Sequence, residues 1–204
     1  MKKIMMFLAA ALMLIAAPVQ AQDGLSKAQQ KAIKAKCKEF KKEGWKIFGS
    51  TLTIDMALAK HYQKMNDENA EEILGVASSF KSKNVGRQMA LNSGCTYYAS
   101  KQESEIKGKV VSDMQGDANF SESEFEKFYA AFKRNVEMQI KDELKETFSI
   151  IRDNGNGTSE MQTFFVANKV AASKARVRAL DQAAKESVAA QVYAKGIEKY
   201  INEQ

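Results

Sequence analysis

The sequence predicts an α+β domain: a three-stranded sheet, built from one strand and a late hairpin, with long amphipathic helices over one face. Three observations lead there. Apolar residues recur at helical spacing through most of the chain, most clearly at Phe125, Phe128, Phe132, Val136 and Ile140. Two regions alternate as strands do, residues 71–80 and the segment around Phe148 to Phe165. The only proline is Pro18, and the chain beyond it is rich in Ala, Lys, Glu and Gln, which favours long helices.

The elements run in the order α-α-β-α-α-β-β-α. The first helix spans residues 26–43, and Gly44 is a natural stop just past its end. The stretch WKIFGSTLT is a connector whose Trp45, Ile47 and Phe48 tuck into the core. A second helix, residues 54–65, places Leu58, Tyr62 and Met65 on one side before the polar cluster NDEN breaks it. The strand at 71–80 sets Ile73, Gly75 and Ala77 against Leu74, Val76 and Phe80. Asn84 then caps a long helix whose stripe runs through Leu91, Cys95, Tyr98, Ile106, Val110 and Met114. QGDANF ends that helix. Ser121 and Glu124 form a capping-box pattern ahead of the phenylalanine-striped helix. In the hairpin, Phe148 and Ile150 alternate with polar neighbours, as do Met161, Thr163 and Phe165. Asn154 to Gly157 supply the turn, with residues that tolerate positive φ. An alanine-rich helix covers residues 172–201.

The opening MKKIMMFLAAALMLIAAPVQAQ has the three parts of a secretory signal. Lys2 and Lys3 give a positive start, Ile4 to Ala17 an apolar run, and Val19-Gln20-Ala21 a small-residue cleavage site. A run of about 14 residues is short for a membrane span, which needs about 20. Residues 1–21 are therefore expected to be removed after Ala21, leaving 22–204 as one periplasmic or secreted domain. A chain of that size buries roughly 70% of its unfolded surface. Removing Lys2 and Lys3 leaves 29 basic residues against 25 acidic, a net charge of +4. That mild balance argues against a nucleic-acid partner. No later stretch is long enough for a transmembrane segment.

Few constellations carry chemistry. The passage ILGVASSFKSKNVGRQMA runs from strand to helix as phosphate-binding turns do. Its Gly75 and Gly86, however, lie too far apart for a dinucleotide fingerprint, and no Gly-Lys-Ser/Thr opens the helix. Gly75, Ala77, Ser78 and Ser79 are expected instead to let a helix pack closely across the strand. His61 is the only imidazole. It falls at the polar edge of its helix, and no nucleophile motif accompanies it, so its truncation is expected to cost little. Asp153 to Gly157 superficially match a calcium loop, yet glycines stand where ligands belong and turn chemistry is the better reading. No catalytic, cofactor-binding or metal-binding residues are assigned. Cys37 and Cys95 each sit on an apolar helical stripe; they are buried inert thiols or, in an oxidising compartment, a disulfide. Lys27, Lys31, Lys34, Lys38 and Lys41 line one face of the first helix opposite Ile33, Cys37 and Phe40. That face is a solvated surface or a contact for an anionic envelope surface such as lipid headgroups or wall polymer.

The pattern ILGVASSFKSKNVGRQMALNSGCTYYASKQESEIKGKV resembles exported bacterial envelope proteins of the LPP-twenty lipoprotein-like type. More closely, it resembles uncharacterised exported proteins of Bacteroides-like bacteria, which share a Lys-x-Gly-Trp-Lys element seen here in KKEGWK, Lys41 to Lys46. The likeness covers residues 36–170. It implies an α+β envelope domain, usually without known enzymatic activity. Separately, the expected partner is an unknown envelope protein or an anionic envelope surface. The lipoproteins carry an acylated cysteine after the signal and this chain has none, so membrane anchoring does not transfer. The functional expectation is an exported binding or structural module. The alternatives are a hydrolase-like enzyme using surface carboxylates with His61, or a peripheral membrane-surface protein using the lysine helix.

Overall fold

A computed structural model describes residues 24–114 and 122–186, together with Gln191, Ala194 and Glu198. The expected signal at 1–21, the QGDANF break, Ser121 of the capping box and the end of the last helix lie outside the described residues. So do the side chains of Ile106, Val110 and Met114. Among the described residues the fold is α+β, with five helices and one four-stranded antiparallel sheet. In chain order the elements are α1 (Lys27–Lys42), β1 (Lys46–Phe48), α2 (Ile54–Lys64), β2 (Ala70–Phe80), α3 (Lys83–Met114), α4 (Glu122–Ile140), β3 (Lys145–Asp153), β4 (Ser159–Asn168) and α5 (Lys169–Ala184).

The structure corrects the sequence reading of the sheet in two respects. The sheet has four strands in the order β1-β3-β4-β2, because the segment read as a connector contributes β1. Ile47 pairs with Ile150 and Phe48 with Ser149. Three residues give too little alternation to be read as a strand, and Gly44 (φ 81°) and Gly49 (φ 72°) turn the chain on either side of it. Helices also cover both faces of the sheet, where the sequence predicts one. The adjacent Phe164 and Phe165 of β4 show why, since neighbouring strand residues point to opposite faces. Phe164 packs with Phe148, Ile150, Ile33, Cys37, Phe40, Trp45 and Leu58 beneath α1 and α2. Phe165 packs with Ile73, Cys95, Tyr98, Phe128, Phe132 and Leu180 beneath α3, α4 and α5. The phenylalanine stripe of α4 is core, as its spacing predicts.

Local chemistry sets the ends of these elements. Ser26 and Gln29 form a reciprocal capping box at the start of α1. Asn168 caps α5 directly out of β4 by accepting from the backbone N–H groups of Val170 and Ala171. The β3–β4 turn uses Gly155 and Gly157 at positive φ and closes with Asn154 N–H donating to the Thr158 carbonyl. The KKEGWK element works as a clamp. Trp45 is buried, its indole N–H donates to Glu43 at 3.0 Å, and the Arg152 guanidinium lies 4.6 Å over its ring. Arg152 also pairs with Glu43 and Glu160, which ties the end of α1 to the β3–β4 hairpin.

The strand-to-helix passage is a packing device. A methyl group on Gly75 would overlap the Ala90 carbonyl, and one on Gly86 would lie 2.5 Å from the Phe80 ring. Gly94 faces Phe165 and Ile73. The bare surface of β2 at Gly75 thus admits the backbone of α3 itself. Ser93 of α3 adds a hydrogen bond, accepting from Val76 N–H on the open edge of the sheet. We predict that Gly75→Ala lowers unfolding free energy by about 1–3 kcal/mol through overpacking against rigid backbone. Gly157→Ala has open space around it and should cost only about 1 kcal/mol, for its positive φ. Urea unfolding of both variants measures the difference.

Candidate functional site

Two polar arrangements on the α1–α2 side of the sheet, and a third on the opposite side, could carry function. The first centres on His61. Contrary to the edge position expected for it, His61 is 1% exposed and ringed by Tyr62, Phe148 and Phe164, with ring centroids 5.7 to 5.9 Å away. Its Nε2 lies 2.7 Å from Glu72 Oε2 on β2, and its Nδ1 2.8 Å from Thr147 Oγ1 on β3. Thr147 sits at the register shift between Glu146 and Phe148, and its hydroxyl donates to the Phe164 carbonyl at 2.8 Å. A hydroxyl has one proton, so Nδ1 must be the donor towards Thr147. Nε2 then meets the carboxylate through a second proton, held on the ring or shared with Glu72.

This geometry joins α2 to three strands; it does not build a nucleophile. The Thr147 proton is committed to backbone, and the imidazole has no free face for a substrate. Burial alone would raise the Glu72 carboxyl. The hydrogen bond and charge of His61, with Lys36 nearby, outweigh burial and hold it below the usual 4.5. Lys36 itself rests 5.7 Å from the Tyr62 ring and 6.0 Å from the Phe164 ring. It is a packed lysine, distinct from the solvent-facing ones on the same helix.

The second arrangement is the lysine face of α1. Lys27, Lys31, Lys34, Lys38 and Lys41 are all exposed, while Ile33, Cys37 and Phe40 are buried against the sheet. Among the described residues, none of the five forms an ion pair. The arginines behave otherwise. Arg87, Arg134, Arg152 and Arg178 each meet a carboxylate, and Arg176 donates to the buried Tyr98 hydroxyl. Charge is also segregated along the chain. Residues 24–64 hold ten lysines and three acidic residues, so the α1–β1–α2 segment carries +7 and residues 65–204 carry −2. Lys34, Lys38 and Lys41, with Cys37 and Asp55, line an open cleft of about 420 Å³ between α1 and the start of α2.

The third arrangement is a cleft of about 450 Å³ lined by Asn84, Arg87, Leu91, Lys141, Glu146 and Phe165, among others. Its central charges satisfy each other. Glu146 accepts from Arg87 at 2.5 and 2.9 Å and from Ser149, which in turn bonds Thr163.

Cys37 and Cys95 are free, buried thiols. One lies in the core under α1 and the other in the core under α3, with the sheet between them, so a disulfide would have to cross the sheet. Burial pushes the Cys95 thiol up to about 11, which keeps it protonated and inert. Asp153 to Thr158 form the hairpin turn through their own hydrogen bonds. No cluster of three or more metal-ligating side chains occurs among the described residues, and no described helix is long and apolar enough to cross a membrane. Compared with protein-family models, with curated proteins and with solved structures, the chain gives no match.

The sequence identifies His61 and the five lysines but not their partners. Glu72, Thr147 and Asp55 carry no local signal, because each acquires its role from a distant element. Three measurements test these assignments. His61→Ala should lower stability by about 2–3 kcal/mol, since it leaves a cavity among Tyr62, Phe148 and Phe164 and removes the hydrogen bonds to Glu72 and Thr147. A carboxyl depressed on folding stabilises above its unfolded value and loses that contribution as pH falls through the folded one. Glu72→Gln should therefore be destabilising above pH 4.5, and its deficit should shrink as pH falls below that value, read from urea midpoints across pH. Thiol titration of denatured, unreduced protein should find two free thiols.

Proposed function

We propose that this chain is an exported, non-enzymatic binding module of the cell envelope that contacts anionic surfaces through the lysine face of α1. The observation that carries the reading is a set of five exposed lysines without ion pairs among the described residues, on a protein whose arginines are all engaged. At 100° per residue these lysines fall in a band about 80° wide. The signal-like N-terminus and the resemblance to exported envelope proteins support the setting. The self-satisfied polar network around His61 supports a role other than hydrolysis.

The mode of contact follows from what α1 does with its other side. An interfacial amphipathic helix inserts its apolar face into lipid. In α1 that face is spent on the core with Ile33, Cys37 and Phe40, so contact is by charge alone. Each lysine near an anionic surface contributes about 1 kcal/mol, screened by salt. The mature chain should therefore sediment with anionic vesicles or wall fragments at low salt and release at high salt. Changing Lys27, Lys31 and Lys38 to glutamate should abolish binding while altering stability by no more than about 0.5 kcal/mol. Wild-type protein that ignores both surfaces at low salt would refute the reading.

A further inference from the structure

We propose that the cleft between α1 and the start of α2 is a site for a phosphoester whose neighbouring atoms carry a hydrogen-bond donor, a hydroxyl or an ammonium. The proposal rests on the anionic-surface reading and gives that surface a specific pocket.

Three features support it. Lys34, Lys38 and Lys41 stand at i−3, i+1 and i+4 from Cys37, so they surround the one side chain of α1 that both lines the cleft and reaches the core. All three line one cleft of about 420 Å³ and, among the described residues, form no ion pair, so three positive charges gather there against the single carboxylate of Asp55. An anion entering there offsets that excess. The type of cation matters as well. Planar carboxylates are matched by the fork of arginine, whereas separate ammonium point charges suit the several oxygens of a tetrahedral phosphate. The cations lining the cleft are all lysines.

Asp55 supplies the second half of the specificity. It lies in the first turn of α2, lines the same cleft, and likewise has no ion-pair partner among the described residues. A carboxylate opposes a bare phosphate but accepts a hydrogen bond from a group next to one. Phosphate esters of glycerol or ethanolamine present that combination, as lipid headgroups and as soluble fragments. A nucleotide fits less well, because no aromatic ring lines the cleft to stack a base.

Cys37 on the cleft wall serves as a reporter and Cys95, in the opposite core, as an internal control. Alkylation of both thiols in the mature chain would be followed by mass spectrometry with inorganic phosphate, glycerol 1-phosphate, or phosphatidylglycerol vesicles present. Glycerol 1-phosphate should slow labelling of Cys37, and more effectively than inorganic phosphate, while Cys95 stays unlabelled throughout as a check that the fold is intact. Protection by vesicles beyond that by the soluble ester would identify the lipid headgroup as the better source; equal protection would favour a free ester. Lys34→Gln/Lys38→Gln/Lys41→Gln should erase protection, with affinity falling about fivefold per lysine removed. The charge-matched Lys27→Gln/Lys31→Gln/Lys42→Gln variant, whose changes lie outside the cleft, should retain protection by the soluble ester. Asp55→Asn should strengthen inorganic phosphate binding and remove the preference for the ester. Should both triple variants lose vesicle binding equally while no soluble ester protects Cys37, the pocket is overturned and the diffuse surface stands. If wild type binds neither vesicles nor esters, both readings fail together.

Discussion

The fold depends on one strand being apolar on both sides. β4 sends Phe164 into one core and Phe165 into the other, and every helix is positioned by one of these two residues or its neighbours. Phe164 stacks on Phe148 with ring centroids 4.4 Å apart and meets Phe40 edge-on, which seats α1. Phe165 abuts Gly94 and the Gly75 region, which seats α3. A strand paired on both edges and covered on both faces has no exposed backbone. That is why β4, and not the short β1 or the outer β2, is the structural axis.

Much of this is legible from pattern. The helical spacings of α1 and α4, the hairpin with its Gly155 and Gly157 turn, and the small residues beneath α3 are all local properties, and local properties survive in a sequence. Side and pairing are not legible in the same way. Phe164-Phe165 reads as a break in alternation, although two consecutive aromatics mark a strand buried on both faces. β1 has only Ile47 and Phe48 to announce it. His61 looks peripheral because its helix is amphipathic by pattern, and only the fold brings Glu72 and Thr147 to its two nitrogens. Polar partnerships across 11 and 86 residues leave no periodic trace.

The sheet also separates two electrostatic characters. The face made by α1 keeps five lysines unpaired among the described residues, while on the other layer several cations meet carboxylates, as Lys101 does with Glu71 and Lys133 with Glu103. Exposed pairs of that kind add little stability. Their effect is to leave the molecule's positive potential concentrated on one side, where it can steer an encounter.

The clamp around Trp45 has an experimental consequence. Trp45 is the chain's only tryptophan, and it sits entirely within the core shared by α1 and α2, under the Arg152 guanidinium. Its fluorescence therefore witnesses one half of the protein. Far-ultraviolet dichroism is dominated by the other half, where the 32-residue α3 and the 19-residue α4 lie. The two signals form a built-in pair of independent gauges. Their coincidence or separation during unfolding reveals whether a strand shared by two cores is enough to make them melt as one.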